Sequence, residues 1–373
     1  MPDTTPVKRL SSKKLVATAD FAPTDERFET IGVFNPGAAR LGAERGNEIV
    51  LLVRVAQGVR EREEGYNLSP RSVVTPEGGV RYEIDRLKVH ANDNGDHRKP
   101  LTVEGLRRLA FVSHLELIRI SADGYGVKEI VRSDALFGRT PWEEYGVEDP
   151  RITLIEGTYW ITYVGVSDQM GVATQLMSTR DFETFERHGV IFVCENKDVV
   201  LFPEKVAGRY WCYHRPVGHI DIRKLAILTA DSDDLLRWGD HKYVLGSRGG
   251  PDWYSKRIGA GTPPVKTSRG WLSIFHGVRA QHEGDLVGAY TAGAMLAALD
   301  DPSRLIALSE EPFFRADEDY EVDGYVKNVV FPTGIVRDLE DADRLHVYYG
   351  CADSAVAVAT FSQEQILASL KAI

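Results

Sequence analysis

Cysteine, helical periodicity and long apolar runs are all scarce in this sequence. Its 373 residues hold three cysteines, Cys194, Cys212 and Cys351, spaced too widely for a disulfide framework and without a CxxC pair to nucleate a metal site. No window approaches the roughly 18 consecutive apolar residues of a transmembrane helix. The opening stretch MPDTTPVKRLSSKKLVATAD is polar and lacks the apolar core of a secretory signal, so a cytoplasmic, reduced protein is expected. Positive charge is in deficit: 45 Lys and Arg against 55 Asp and Glu leave −10, which disfavours nucleic acid or an anionic membrane as partner. GxSxG, GxGxxG and GxxxxGK[ST] are absent, leaving serine hydrolase, dinucleotide and P-loop chemistry without a foothold. HxH and HExxH spacings are absent as well, so no metal is assigned.

What the chain has in quantity is short apolar stretches rich in Val, Ile, Tyr and Trp, punctuated by 34 glycines and 17 prolines. EIVLLVRV (48–55), TYWITYVGV (158–166), RYWCYHR (209–215), GWLSIFHGV (270–278) and RLHVYYG (344–350) read as strands. One helix is expected, at the tail over 362–372, where Ser362 and Gln365 form a capping box before Ile366, Leu367 and Leu370. An all-β chain of this length is a sandwich, a barrel or a propeller. Five X-Pro steps, Asn35-Pro36, Asp149-Pro150, Phe202-Pro203, Thr262-Pro263 and Phe331-Pro332, each precede a strand. The last three intervals, 53 to 69 residues, have the length of a four-stranded blade with its loops. The first, 114 residues, adds an insertion at about 56–110 that is charged, Gly/Pro-rich and poor in strand pattern. A single domain over 1–373, a five-bladed β-propeller, follows; a two-sheet sandwich with coincidental prolines is the competing architecture. In a propeller, residues far apart in sequence meet at one mouth of the central tunnel.

Val147-Glu148-Asp149-Pro150-Arg151 places two carboxylates beside a proline that biases Asp149 towards extended geometry. Phe202-Pro203-Glu204-Lys205 repeats the arrangement one unit later. A carboxylic acid in a partly dry pocket holds its proton and serves as a general acid. The same residues equally suit a surface ion pair of Glu148 with Arg151 and a turn at Asp149. Arg54, Arg151, Arg215, Lys256, Arg257 and His276 form a basic set near the unit starts, suited to a phosphate or carboxylate. Salt bridges to the many carboxylates would use them as well. His214 and His276 end apolar strands, a place where histidine is often only structural. Tyr290 is among the aromatics able to stack on a sugar ring, although alternation assigns most of those to packing between blades.

FNPGA (34–38), GVEDPRI (146–152), NKDVVLFPEK (196–205) with YHRP (213–216), RIGAGTPPVKTSRGW (257–271) with HG (276–277), and NVVFPTG (328–334) with YYGCAD (348–353) resemble, in order, glycoside hydrolase family 130. These are β-mannoside phosphorylases and related β-mannosidases with a five-bladed propeller fold. The resemblance implies that Asp149 is the sole catalytic acid, protonating the glycosidic oxygen through the mannosyl 3-hydroxyl. Phosphate then attacks from the opposite face, giving inversion and α-mannose 1-phosphate. It further implies a phosphate-binding set of Arg54, Asn196, Arg215, Lys256, Arg257, His276 and Tyr349. Asn35, Glu148, Glu204, His214, Tyr290 and Asp353 are the residues expected against the sugar. No cofactor is expected beyond inorganic phosphate as co-substrate, and the partner is a manno-oligosaccharide or other mannoside.

One departure bears on the nucleophile. Some phosphorylases of the family carry Arg just before the Asn, where this chain has Glu195. A carboxylate there repels phosphate or acts as base for water, so an inverting β-mannosidase stays open, as does a non-catalytic glycan-binding propeller. The insertion borders the mouth, where it would meet an acceptor sugar or a neighbouring copy in a homo-oligomer.

Overall fold

The runs of alternating β-branched and aromatic residues form five antiparallel sheets, four of four strands and one of six, in a computed structural model that describes residues 6–88, 101–103, 106–193, 195–217, 224–247, 252–281 and 287–373. Blade one is Phe28–Arg40, Ile49–Val59, Phe111–Ile120 and Val127–Val131, paired in that order. Blade two is Val147–Ile155, Thr158–Ser167, Gly171–Thr179 and Glu186–Phe192. Blade three is Asn196–Leu201, Tyr210–Pro216, Ala226–Ser232 and Gly239–Gly246. Blade four is Arg257–Ala260, Trp271–Arg279, Ala289–Ala297 and Leu305–Leu308. Blade five takes Val330–Arg337, Arg344–Cys351 and Ala355–Ser362 from the end of the chain and its outer strand, Ser11–Ala17, from the beginning. The protein is a five-bladed β-propeller whose ring is closed by its own N-terminal strand.

In each blade the first strand faces the axis, and these strands are packed too closely for side chains at some positions. A Cβ on Gly37 would lie 2.9 Å from the Pro150 carbonyl oxygen of blade two, and one on Gly334 would lie 2.5 Å from Ala38 Cβ of blade one. Thr333 Oγ1 donates to the Pro36 carbonyl at 2.9 Å, joining blades five and one. Outside this ring, apolar side chains fill the space between neighbouring blades: Leu52, Leu115 and Ile161 between one and two, Tyr213, Trp271 and Phe275 between three and four.

The X-Pro steps do fall on the innermost strands or directly after them, but not at equivalent positions. Pro36, Pro150 and Pro332 lie within the strands, whereas Pro203 and Pro263 follow Leu201 and Ala260, the strand ends. Spacing counted from proline therefore drifts by several residues in blades three and four.

The insertion differs from its reading in two ways. The second strand of blade one continues to Val59, so the excursion starts later than residue 56. It also contains strands: Tyr66–Val74 pairs with Val80–Lys88, and Leu101–Val103 with Leu106–Arg108. In VRYEIDRLK the charged residues obscured an alternation that turns Tyr82 and Ile84 inward, onto Phe28, Val59 and Val112. The tail helix is shorter than expected, Gln363–Ser369, with Ser362 Oγ accepting from the Gln365 amide at 3.1 Å. After it, Lys371–Ala372 adds a short strand to blade four.

Ring closure is reinforced by a buried carboxylate. Glu321, fully inaccessible, receives Arg9 Nη1 at 2.8 Å from the N-terminal segment and the hydroxyl of Tyr349 from blade five. Removing residues 6–17 should leave the buried Glu321 without its arginine and the Ala355–Ser362 edge open. Calorimetry of that truncation should show a melting temperature lower by roughly 10 °C or more, or no cooperative transition; an unchanged transition would mean that the strand does not close the ring.

Candidate active site

Three consecutive blades present a polar residue in the left-handed backbone region at an irregularity of the innermost strand. These are Asn35 (φ 53°), Asp149 (φ 49°) and Asp198 (φ 58°). Strand register slips there, between Phe34 and Gly37, Glu148 and Arg151, and Lys197 and Val200. Such bulges turn a side chain out of the sheet alternation and towards the axis. The extended backbone expected for Asp149 ahead of Pro150 is therefore overturned. The local preference is worth less than the contacts that fix the carboxylate.

The three residues open on a cavity of about 420 Å³ at the mouth of the tunnel. Asp149 Oδ1 accepts from Asn35 Nδ2 at 2.8 Å and from Arg54 Nη1 at 3.0 Å. Arg54 Nη2 reaches Glu148 Oε1 at 2.6 Å, and its guanidinium lies over the Phe34 ring. Lys197 Nζ stands 3.6 Å from Asp149 Oδ2. On the opposite wall Asp198 is held from both ends, Oδ1 by Arg151 Nη2 at 3.2 Å and Oδ2 by Arg215 Nε at 2.7 Å. His276 Nε2 lies 3.8 Å from Asp198 Oδ2, and its other ring nitrogen, Nδ1, has no partner although buried. Arg257 Nη1 donates to the Tyr290 hydroxyl at 3.2 Å, beside the rings of His276 and Phe331.

Electrostatics divide these groups. Burial works to raise the pKa of Asp149, but Arg54, Lys197, Arg151 and the Asn35 amide outweigh it and hold the carboxyl well below the usual range. Asp149 is thus a carboxylate, contrary to the reading of a dry pocket that keeps a proton on it. Asp198 is likewise held low: burial opposes ionisation, and the guanidiniums of Arg215 and Arg151 overcome it. Burial dominates elsewhere. It raises Glu148 despite Arg54, and it pushes Asp353 up to about 6. Burial, seconded by Arg215 and Arg151, also pushes His276 down to about 3 against the pull of Asp198. His276 is consequently a neutral hydrogen-bonding group at physiological pH and leaves the basic set.

Of the residues singled out from the sequence, Asn35, Arg54, Asp149, Arg215, Arg257, His276, Tyr290 and Asp353 line the cavity. Glu148, Asn196 and His214 stand behind it: Asn196 Nδ2 donates to His214 Nδ1 at 2.9 Å, and the His214 ring stacks on Phe192. Four others lie elsewhere. Glu204 is on the surface, paired with Lys266, because Pro203 follows the end of its strand. Tyr349 is enclosed in the core against Phe314, its hydroxyl committed to Glu321. Lys256 and Glu195 are outside the lining; the Glu195 carbonyl accepts from the Val217 amide at 2.7 Å.

Lys197 and Asp198 escaped the sequence reading. The signal was present, since NKDVV repeats the position of Asp in VEDPR, but Asp198 has no proline after it to mark the step. Among the described residues no group of His, Cys, Asp and Glu has the arrangement of a metal site.

A model of the β-1,4-mannooligosaccharide phosphorylase family matches residues 112–372. A β-1,2-mannobiose phosphorylase of Listeria innocua is 33% identical over 377 residues, covering 98% of both chains. A 1,2-β-oligomannan phosphorylase of a Thermoanaerobacter species is 38% identical over 251 residues, 66% of this chain and 78% of the relative. The structure of the Listeria enzyme with β-1,2-mannobiose superimposes with a TM-score of 0.84 at 35% identity, covering 95% of this chain and 96% of that one.

The raised pKa of Asp353 has a thermodynamic sign. With a folded value of about 6 against roughly 3.9 unfolded, its contribution is fully present below the unfolded value and lost as pH rises through 6. Asp353→Asn should match the wild type in urea unfolding at pH 3 and exceed it at pH 8 by about 2–3 kcal/mol. An identical difference at both pH values would refute the assignment.

Proposed function

The chain belongs to glycoside hydrolase family 130, and from that membership and the cavity we propose that it is a β-mannoside phosphorylase acting on β-1,2-linked manno-oligosaccharides, with α-mannose 1-phosphate as product. The observation that carries phosphate over water is the composition of the wall facing Asp149. Lys197, Arg215 and Arg257 bring three cations there, and Asp198 returns one negative charge. In a chain of net charge −10, that local excess suits a tetrahedral dianion, with guanidinium forks and an ammonium offsetting its desolvation.

Asn35, Arg54 and Asp353 surround Asp149 on the other side, where the mannosyl ring is expected. In this reading the Asp149 proton passes, by way of the mannosyl 3-hydroxyl, to the glycosidic oxygen. The bond from the anomeric carbon to that oxygen breaks with its electron pair on the departing sugar, and a phosphate oxygen forms the new bond from the opposite face. The β-1,2 linkage rests on the relative that matches end to end and on the structure of that enzyme with its disaccharide. A base for water has little support, because Glu195 is outside the cavity lining and Asp198 has both oxygens engaged. Three cysteines dispersed along the chain support a cytoplasmic location.

Incubation of β-1,2-mannobiose with and without inorganic phosphate tests the reading. Mannose and mannose 1-phosphate should accumulate in equal amounts, and only with phosphate. Asp149→Asn should lower turnover by about 10²–10⁴-fold. Full release of mannose without phosphate would establish hydrolysis instead.

A further inference from the structure

An acid that neighbouring cations hold ionised must acquire its proton before each turnover, and the geometry indicates what triggers the uptake. Three cations act on Asp149, and two of them are fixed. The Arg54 side chain, 8% exposed, is bonded to Asp149, Glu148 and Ser113 and lies over Phe34. Arg151, 1% exposed, is bonded to the Asp149 carbonyl and to Asp198. Lys197 differs from both. Its side chain is 27% exposed, and its ammonium lies 3.6 Å from Asp149 Oδ2, beyond hydrogen-bond distance. Its strand neighbours point to where else it can reach: Lys197 pairs with Arg215 in the sheet, and Asp198 follows it on the cationic wall. A flexible four-carbon stem carrying a point charge can serve either side of the cavity, which a guanidinium locked by several bonds cannot.

Building on the phosphorolysis reading, we propose that Lys197 couples arrival of the nucleophile to arming of the acid. Before phosphate binds, its ammonium keeps Asp149 ionised; when the phosphate dianion enters, the ammonium turns to it, and Asp149 takes up the proton that the departing sugar will need. The proton balance closes over the cycle. One proton enters from solvent on phosphate binding and leaves on the sugar hydroxyl. The phosphate ester, formed with the hydrogen of HPO₄²⁻, releases that hydrogen as it becomes the dianion. The groups facing Asp149 from each packed element are Asn35 and Arg54 of blade one, Glu148 and Arg151 of its own strand, Lys197 and Asp198 of blade three, and Asp353 of blade five. Among the cations in this set, Lys197 has the greatest exposure.

Sulfate, a tetrahedral dianion that does not titrate near neutrality and does not react, isolates the step. Calorimetric titration of the full chain with sulfate at pH 6, in two buffers of different ionisation heat, counts the protons taken up. The wild type should take up a measurable fraction of a proton, and the count should fall by at least half in both Lys197→Gln and Asp149→Asn. Lys197→Arg should keep at least half of it. In turnover with β-1,2-mannobiose, Lys197→Gln should lose about 10- to 100-fold in kcat/KM for phosphate, as expected for one charge-assisted contact. An uptake unchanged in Lys197→Gln would overturn the proposal, as would one that survives in Asp149→Asn and disappears in Asp353→Asn. Phosphate-dependent turnover combined with such a result removes the role of Lys197 and leaves phosphorolysis standing. Turnover without phosphate would remove the reading on which both depend.

Discussion

Asp198 is a carboxylate with almost no access to water, and its burial constrains the rest of the site. An isolated ion there would cost several kcal/mol or more, which only good geometry with opposite charges offsets. The compensation comes from separate parts of the ring: Arg151 from blade two on one oxygen, Arg215 from the next strand of its own blade on the other. Arg151 also reaches the Gly261 carbonyl of blade four. The pairing of Arg54 with Glu148 and Asp149 ties blade one to blade two in the same manner. None of these charges is compensated by its immediate sequence neighbours alone, so the site and the closed ring form together.

The backbone contributes the aim. Asn35, Asp149 and Asp198 adopt φ near +50°, a conformation that costs of order 1–3 kcal/mol at a non-glycine residue. A regular strand would point alternate side chains into the sheets, where a carboxylate has no partner. The bulge instead directs each side chain to the axis, where guanidiniums from neighbouring blades meet it. At Asp149 and Asp198 the ion pairs of the site offset that strain.

Much of this was legible in the sequence. Blade-length spacing, short Val/Ile/Tyr/Trp runs and the absence of helical periodicity point to a propeller, because a strand packed between two neighbours is buried on both faces and mostly apolar, as Ile49–Val59 is apart from Arg54 and Gln57. Asp149, Arg54 and Arg215 were visible as charged residues embedded in apolar strands. What escaped depended on register. Proline marks a bulge in blades one and two, but in blade three the bulge has no proline, so Glu204 was taken where Asp198 belongs. Tyr349 was misplaced by the alternation of a single residue: one strand position separates the axis from the core between blades. The insertion hid its strands because its charged residues occupy the outward positions of a hairpin whose inward face has only a few apolar residues.

The same electrostatics argue about chemistry. An inverting hydrolase needs, opposite its acid, a carboxylate free to accept a proton from water. The carboxylate opposite Asp149 is Asp198, and two arginines keep it ionised with both oxygens occupied, so its basicity is spent on the fold. Asp353, the other carboxylate lining the cavity, responds to Arg54 and Asp149 and belongs to the acid's side. A wall on which the sole carboxylate among the described residues is neutralised and cations are in excess is poorly built to activate water and well built to hold an anion that is a nucleophile without activation. On this scaffold the difference between the two reactions lies less in the acid, which both would share, than in whether the facing carboxylate is available or locked between guanidiniums.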